Sequence, residues 1–230
     1  MKTIGLIGGM SWESSKVYYQ YINEMVKESL GGSHSAKIVL SSVDFADIER
    51  FSFSGEWDKI GKLMAQHAKN LQRASADVIL LCTNTIHLVS DAITNAVDLP
   101  FLHIAHATGE AIADKKVKKV ALLGTKFTME KDFYTKILEE DYGLEVLVPD
   151  EADRNTLQSI IYDQLVKGNF SEESKHICLD IIKKMEAQGA EGVILGCTEL
   201  PILIPDNEVN LPTFDTTSIH AQKAVDFALN

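Results

Sequence analysis

Short aliphatic runs recur along the chain and alternate with stretches of helical periodicity. The runs are TIGLIG at 3–8, KIVLSSVD at 37–44, DVILLC at 77–82 and PFLHIA at 100–105, then KVALLG at 119–124, EVLVP at 145–149, GVILGC at 192–197 and LPTFD at 211–215. Near-continuous Val, Ile and Leu, in place of strict alternation, marks strands buried on both faces, as in parallel sheets covered by helices. Residues 57–74 and 171–188 carry apolar positions at helical spacing, and no Gly/Ser-rich or Pro-rich linker interrupts the chain. The alternation predicts an α/β fold.

The second half repeats the first. Ile4-x-Leu6-Ile7-Gly8 matches Val120-x-Leu122-Leu123-Gly124 at an offset of 116, and Leu99-Pro100 matches Leu211-Pro212 at 112. Between them Leu71, Ala76 and Asp77 match Met185, Ala190 and Glu191 at 114. The offsets cluster and the order of elements is kept, which predicts two similar lobes related by internal pseudo-symmetry. Each is a short parallel sheet flanked by helices: residues 1–98 with 211–230, and residues 99–210, with the active site expected in the cleft. The general likeness of α/β units is the alternative explanation of the matches.

Composition narrows the function. Thirty-three acidic residues against 22 basic ones give a formal charge of −11 and a pI near 5.1, which opposes phosphate backbones and anionic membranes. Nucleic-acid and membrane partners are therefore not expected. No apolar run approaches the roughly 20 residues of a membrane span. The start MKTIGLIGGM enters a strand without a signal-peptide pattern, so a cytoplasmic location is expected. Cys82, Cys178 and Cys197 are an odd, widely spaced set without CxxC pairing, read as reduced thiols. His87, His103, His106 and His220 form no HExxH motif, and no metal is expected.

Candidate chemistry gathers at two strand ends, LLCTNTIHLV at 80–89 and ILGCTELPIL at 194–203. Ligands of open parallel sheets bind at the carboxyl ends of strands, where helix N-termini present free N–H groups. Cys197, at such an end, is expected to have a lowered pKa; a small buried hydrophobe is the competing reading. Cys178 lies at apolar spacing with Ile177, Ile181 and Ile182 and reads as core. Register separates Cys82 from Thr83: an offset of 114 pairs Thr83 with Cys197, whereas 115 would pair Cys82 with it. The preceding turns, QRASAD and AQGAE, favour 114, which makes Thr83 the residue facing the site and turns Cys82 into the sheet packing. Asn84, Thr85 and Thr198 suit a carboxylate cradle or helix capping. IGGMSW at 7–12 lacks phosphate-loop spacing. It reads as a loop where Gly8 and Gly9 let backbone reach a small ligand, with Met10 and Ser11 as candidate contacts and GTKFT at 124–128 as its counterpart.

These segments together resemble the aspartate/glutamate racemase family, cofactor-independent enzymes that include hydantoin racemases. IGLIGGM, CTNTIH, LLGT, EGVILGCTE and LPTFDTTSIHA carry the resemblance over essentially the whole chain. It implies two lobes, a homodimer, a small amino-acid substrate, no cofactor, and a thiol on either side of the substrate Cα. Cys197 matches the second family cysteine. Asn84, Thr85, Thr125 and Thr198 match positions that hold the α-carboxylate and α-amino groups. Where the family usually has Cys-Asn-Thr, this chain has Thr83-Asn84-Thr85. Arg50 lies near a family arginine and Lys167 near a family lysine, candidates for the side-chain carboxylate.

Racemisation needs a base and an acid on opposite faces of a planar intermediate. Cys197 is expected on one face and Thr83 on the other, aided by Glu199 or His87. Alternatives are a maleate isomerase or arylmalonate decarboxylase of similar architecture, or a binding protein that has lost catalysis.

Overall fold

The computed structural model describes residues 1–230 and has the alternating α/β order that the hydrophobic runs predict. The chain divides into two compact units, Met1–Ile104 with His220–Asn230, and Ala105–Ile219. No helix is long and apolar enough to cross a membrane.

The first unit runs β1 (Ile4–Gly8), α1 (Trp12–Leu30), β2 (Ile38–Ser42), α2 (Phe45–Phe53), α3 (Trp57–Arg73), β3 (Val78–Leu81), a 3-10 turn at Thr85–Val89, α4 (Ser90–Thr94) and β4 (Phe101–Leu102). The second contains α5 (Ile104–Asp114), β5 (Lys119–Gly124), α6 (Lys126–Glu130), α7 (Asp132–Tyr142), β6 (Glu145–Leu147), α8 (Glu151–Ser159), α9 (Glu172–Ala187), β7 (Gly192–Gly196), α10 (Leu200–Leu203) and β8 (Thr213–Asp215). The boundaries between the units fall at the start of α5 and within α11 (Thr216–Leu229).

Both sheets are parallel and share one strand order, β2-β1-β3-β4 in the first unit and β6-β5-β7-β8 in the second. Their registers carry the internal repeat. Ile4 pairs with Val78 and Val120 with Gly192, so the central strands are offset by 116 and their neighbours by 114. Ile79 pairs with Phe101 and Val193 with Thr213, which gives 112 for the fourth strands. A short strand belongs with the ladder that satisfies its backbone. Thus β4 joins β3 and β8 joins β7, whereas the sequence reading drew its boundaries at 98/99 and 210/211.

In the first unit β3 alternates between two apolar layers. Ile79 and Leu81 pack with Ile48 of α2 and with Ile60, Met64, Ala68 and Leu71 of α3. Val78, Leu80 and Cys82 pack with Tyr18, Ile22 and Val26 of α1 and with Ala221, Ala224 and Val225 of α11. A strand covered on both sides has no solvent face, hence its continuous aliphatic sequence. Helix starts are capped: Ser11, Asp44, Thr125, Asp150 and Ser171 each accept from a first-turn N–H.

Candidate active site

At the end of β3, Cys82 extends the ladder by one residue. Its N–H donates to Ile7 O at 2.9 Å, and its carbonyl accepts from Ser14 Oγ at 2.8 Å. Its side chain lies on the α1/α11 layer with zero exposure, and burial pushes the thiol far above the range in which it ionises. Thr83 is the first residue beyond the ladder and is half-buried. In the aligned sheets the counterpart of Cys82 is Gly196, which pairs with Gly124, and that of Thr83 is Cys197.

Cys197 follows β7 directly and is buried. Its Sγ donates to Glu199 Oε2 at 3.0 Å, and Thr198 Oγ1 donates to the same oxygen at 2.7 Å. Glu199 is buried as well. The sequence reading expected a lowered thiol pKa, and the structure corrects it. Burial and the adjacent Glu199 carboxylate hold the thiol well above its ordinary value, outweighing the Glu199 and Leu200 N–H groups that favour the thiolate. The following helix, α10, has only four residues. Cys197 is therefore a thiol at rest with a proton acceptor already in hydrogen-bond contact.

The remaining candidates divide. Asn84 and Thr85 are buried beside Thr83, and Asn84 does not cap the 3-10 turn with its side chain. Thr125 is buried and caps α6 by accepting from Thr128 N–H at 3.3 Å. Ser11 is buried and caps α1, while Met10 packs in the apolar layer with Ile7 and Ile48. Gly8 and Gly9 do permit close approach, but to their own chain. A Cβ on Gly8 would strike the Ser15 side chain, and one on Gly9, at φ +91°, would strike Val43 backbone and Ser42. Ser15 Oγ accepts from Gly9 N–H at 2.7 Å, fixing the loop. Arg50 points into solvent: its side chain is 65% exposed and pairs with Asp47 at 2.7 Å on its own helix. Lys167 is likewise exposed, 3.9 Å from Asp163.

Sequence reasoning missed the degree to which histidines organise the first unit. His87 Nδ1 lies 2.7 Å from Thr83 O, and Ile104 N–H donates to His87 Nε2 at 3.3 Å. His220 Nε2 lies 2.8 Å from Leu102 O, and its Nδ1 is 2.8 Å from Tyr18 Oη. Carbonyls only accept and backbone N–H groups only donate, so His87 is neutral and protonated at Nδ1, and His220 carries a proton at Nε2 facing Leu102 O. Burial lowers both pKa values, that of His220 to about 4. The i,i+4 spacing of Thr83 and His87 around a turn was the one available signal. No group of three or more His, Cys, Asp or Glu side chains is disposed to hold a metal ion.

A family model described as Asp/Glu/Hydantoin racemase matches residues 7–224. Among solved structures, a candidate Asp/Glu racemase from Yersinia pestis is 49% identical, with 100% of each chain covered and a TM-score of 0.94. An aspartate racemase homologue from Pyrococcus horikoshii OT3 is 39% identical, with 100% of each chain covered and a TM-score of 0.87. A curated relative, the broad specificity amino-acid racemase RacX of Bacillus subtilis strain 168, is 23% identical with 96% of each chain covered.

Proposed function

Because the chain belongs to the Asp/Glu/hydantoin racemase family, a family of isomerases, we propose that it is a cofactor-independent racemase of aspartate, glutamate or both, with Cys197 and Thr83 acting on opposite faces of Cα. The observation that carries this reading is the Cys197–Glu199 contact, a buried thiol at a strand end already donating to a carboxylate.

In the proposed reaction the Cys197 proton passes to Glu199 as the thiolate removes the α-proton, leaving a planar carbanion. The Thr83 hydroxyl protonates the opposite face, and its alkoxide regains a proton from water. Cys197 is restored by the α-proton itself, and the hydroxide left when water reprotonates Thr83 takes up the proton held by Glu199, so atoms and charge balance and all three side chains return to their starting forms. Asn84, Thr85, Thr125 and Thr198, with nearby backbone N–H groups, would hold the α-carboxylate and stabilise the developing dianion electrostatically. Met10 and Ser11 would border the substrate, with Arg50 a candidate for its side-chain carboxylate if it leaves Asp47. An alcohol is far harder to ionise than a thiol, so the two faces differ in strength as bases. A homodimer in the cytoplasm completes the proposal, on the family resemblance.

Incubation with L-aspartate and with L-glutamate in deuterium oxide tests it. The expected result is α-deuteration with appearance of the D-enantiomer for at least one of them. Binding without α-proton exchange of either would overturn the proposal.

A further inference from the structure

The racemase reading leaves one buried group without a task. His87 is 1% exposed, lies four residues beyond Thr83, and has both ring nitrogens committed to backbone. A proton carrier needs a nitrogen free to gain or lose a proton. Protonating Nε2 would set two donors against each other at Ile104 N–H. The ring is also confined laterally, with centroids of His103 at 4.6 Å, Phe101 at 5.6 Å and His220 at 5.9 Å. His220 is itself held between Tyr18 Oη and Leu102 O. His87 thus ties the segment after β3 to the backbone at Ile104, while His220, on α11, ties that helix and Tyr18 of α1 to the backbone at Leu102.

We propose that His87 is a positioning residue for Thr83: its neutral ring donates through Nδ1 to the Thr83 carbonyl, accepts at Nε2 from Ile104 N–H, and so sets where the Thr83 hydroxyl stands. Thr83 is already outside the strand ladder. Its N–H donates back to Leu81 O at 2.9 Å, a tight local turn, and the His87 bond restrains the other side of its backbone. This inference rests on the reading that Thr83 serves one face of the substrate. It assigns to His87 no contact with substrate and no proton in the reaction.

The placement matters because misplacing a reacting group by about 1 Å can cost on the order of 100-fold in rate. It also predicts which step suffers. Loss of the His87 bonds should impair delivery at the Thr83 face and spare α-proton exchange at the Cys197 face, so exchange without inversion should persist.

The experiment measures inversion and solvent-deuterium exchange for both enantiomers in wild type, Thr83→Ala, His87→Asn, His87→Gln and His87→Leu, with folding checked by circular dichroism. An Asn amide nitrogen takes the place of Nδ1 and keeps the donor to Thr83 O, whereas Leu has neither function. Inversion by His87→Leu should fall on the order of 100-fold while exchange of the enantiomer handled by Cys197 falls far less, with KM little changed. His87→Asn should recover most of the inversion, and His87→Gln less. If His87→Leu fails to fold, the order of Asn above Gln carries the test. Wild-type inversion in His87→Leu, equal loss of exchange and inversion, or Asn no better than Gln would each overturn the proposal. If Thr83→Ala inverts normally, the Thr83 assignment itself fails and takes this inference with it. A dead Thr83→Ala beside unaffected His87 variants removes the positioning role alone.

Discussion

The ends of β3 and β7 occupy equivalent places in sheets of the same order and register, yet they are built from different chemistry. At β7 the equivalent residue is a thiol in contact with a buried carboxylate. At β3 it is an alcohol, held from behind by a neutral imidazole, with a cysteine one residue earlier buried in the apolar layer. A shared backbone position fixes where a side chain stands. The proton affinity of that side chain is set by its immediate neighbours, and these have diverged between the two halves. The functional asymmetry expected of the molecule follows from this local difference and needs no difference of fold.

The largest expected effect comes from breaking the stronger end. Cys197→Ala should lower both exchange and inversion by more than about 10³-fold, since it removes a positioned acid-base group and leaves no nearby thiol to replace it. Stability should change little, because only one sulfur is lost. Deuterium exchange read by NMR, beside a thermal melt, checks both halves of the statement. Wild-type exchange in this variant would exclude Cys197 as the base.

Glu199→Gln sharpens the same end and separates two effects that usually move together. The carboxylate raises the pKa of Cys197 through its charge and through the bond it accepts. Neutralising it should lower the thiol pKa and speed alkylation by iodoacetamide at fixed pH. Racemisation should nevertheless slow on the order of 100-fold, because the acceptor for the thiol proton is gone. A variant that alkylates more slowly than wild type would contradict the electrostatic account.

The elements, the repeat and the Thr83–Cys197 pairing were legible because they depend on side-chain pattern over many residues. The hydrophobic runs located every strand, and the 114 offset from the turns at 72–77 and 187–191 reappears in the ladders. What escaped depends on direction within a single turn. The proximity of Glu199 to Cys197 was visible in GCTE, but not that its carboxylate folds back onto the thiol, which reverses the expected sign of the pKa shift. Gly8 and Gly9 announced a close approach without saying to what. Arg50 signalled a cation, and Asp47 three residues earlier was available to take it.

The imidazoles of the first unit supply an acid test of the comparison. For His220 the folded pKa of about 4 lies below the ordinary 6.5, so the unfolded chain binds the proton more readily. The stabilisation is complete above about pH 6.5 and is lost as pH falls toward 4, amounting to about 3 kcal/mol for this one group. His87 acts in the same direction. In the second unit Asp215 has a raised pKa, which works oppositely. Hydrogen exchange at pH 7 and pH 5 should show protection falling in β1 and β3 more than in β5 and β7. Equal loss in the two sheets would place the acid sensitivity elsewhere.

The smallest effects decide the register at β3. Cys82→Ala removes a sulfur from a fully buried position among Tyr18, Ile22 and Ala221. It should cost about 1 kcal/mol of stability and leave proton exchange unchanged. Thr83→Cys puts a thiol at the position that pairs with Cys197 through the repeat. A free thiol, with a reference pKa of about 8.5, is a few per cent ionised at neutral pH, whereas an alcohol is essentially never ionised there. Exchange of the enantiomer that Thr83 serves poorly should rise, on the order of tenfold if the new thiol keeps even part of that ionisation in its half-buried place. The two variants answer one question from opposite sides, since the first removes the thiol that the ladder turns inward and the second adds one where the ladder ends. If Cys82→Ala abolishes inversion and Thr83→Ala does not, the strand end is displaced by one residue from the register described, and Cys82 is the second catalytic group.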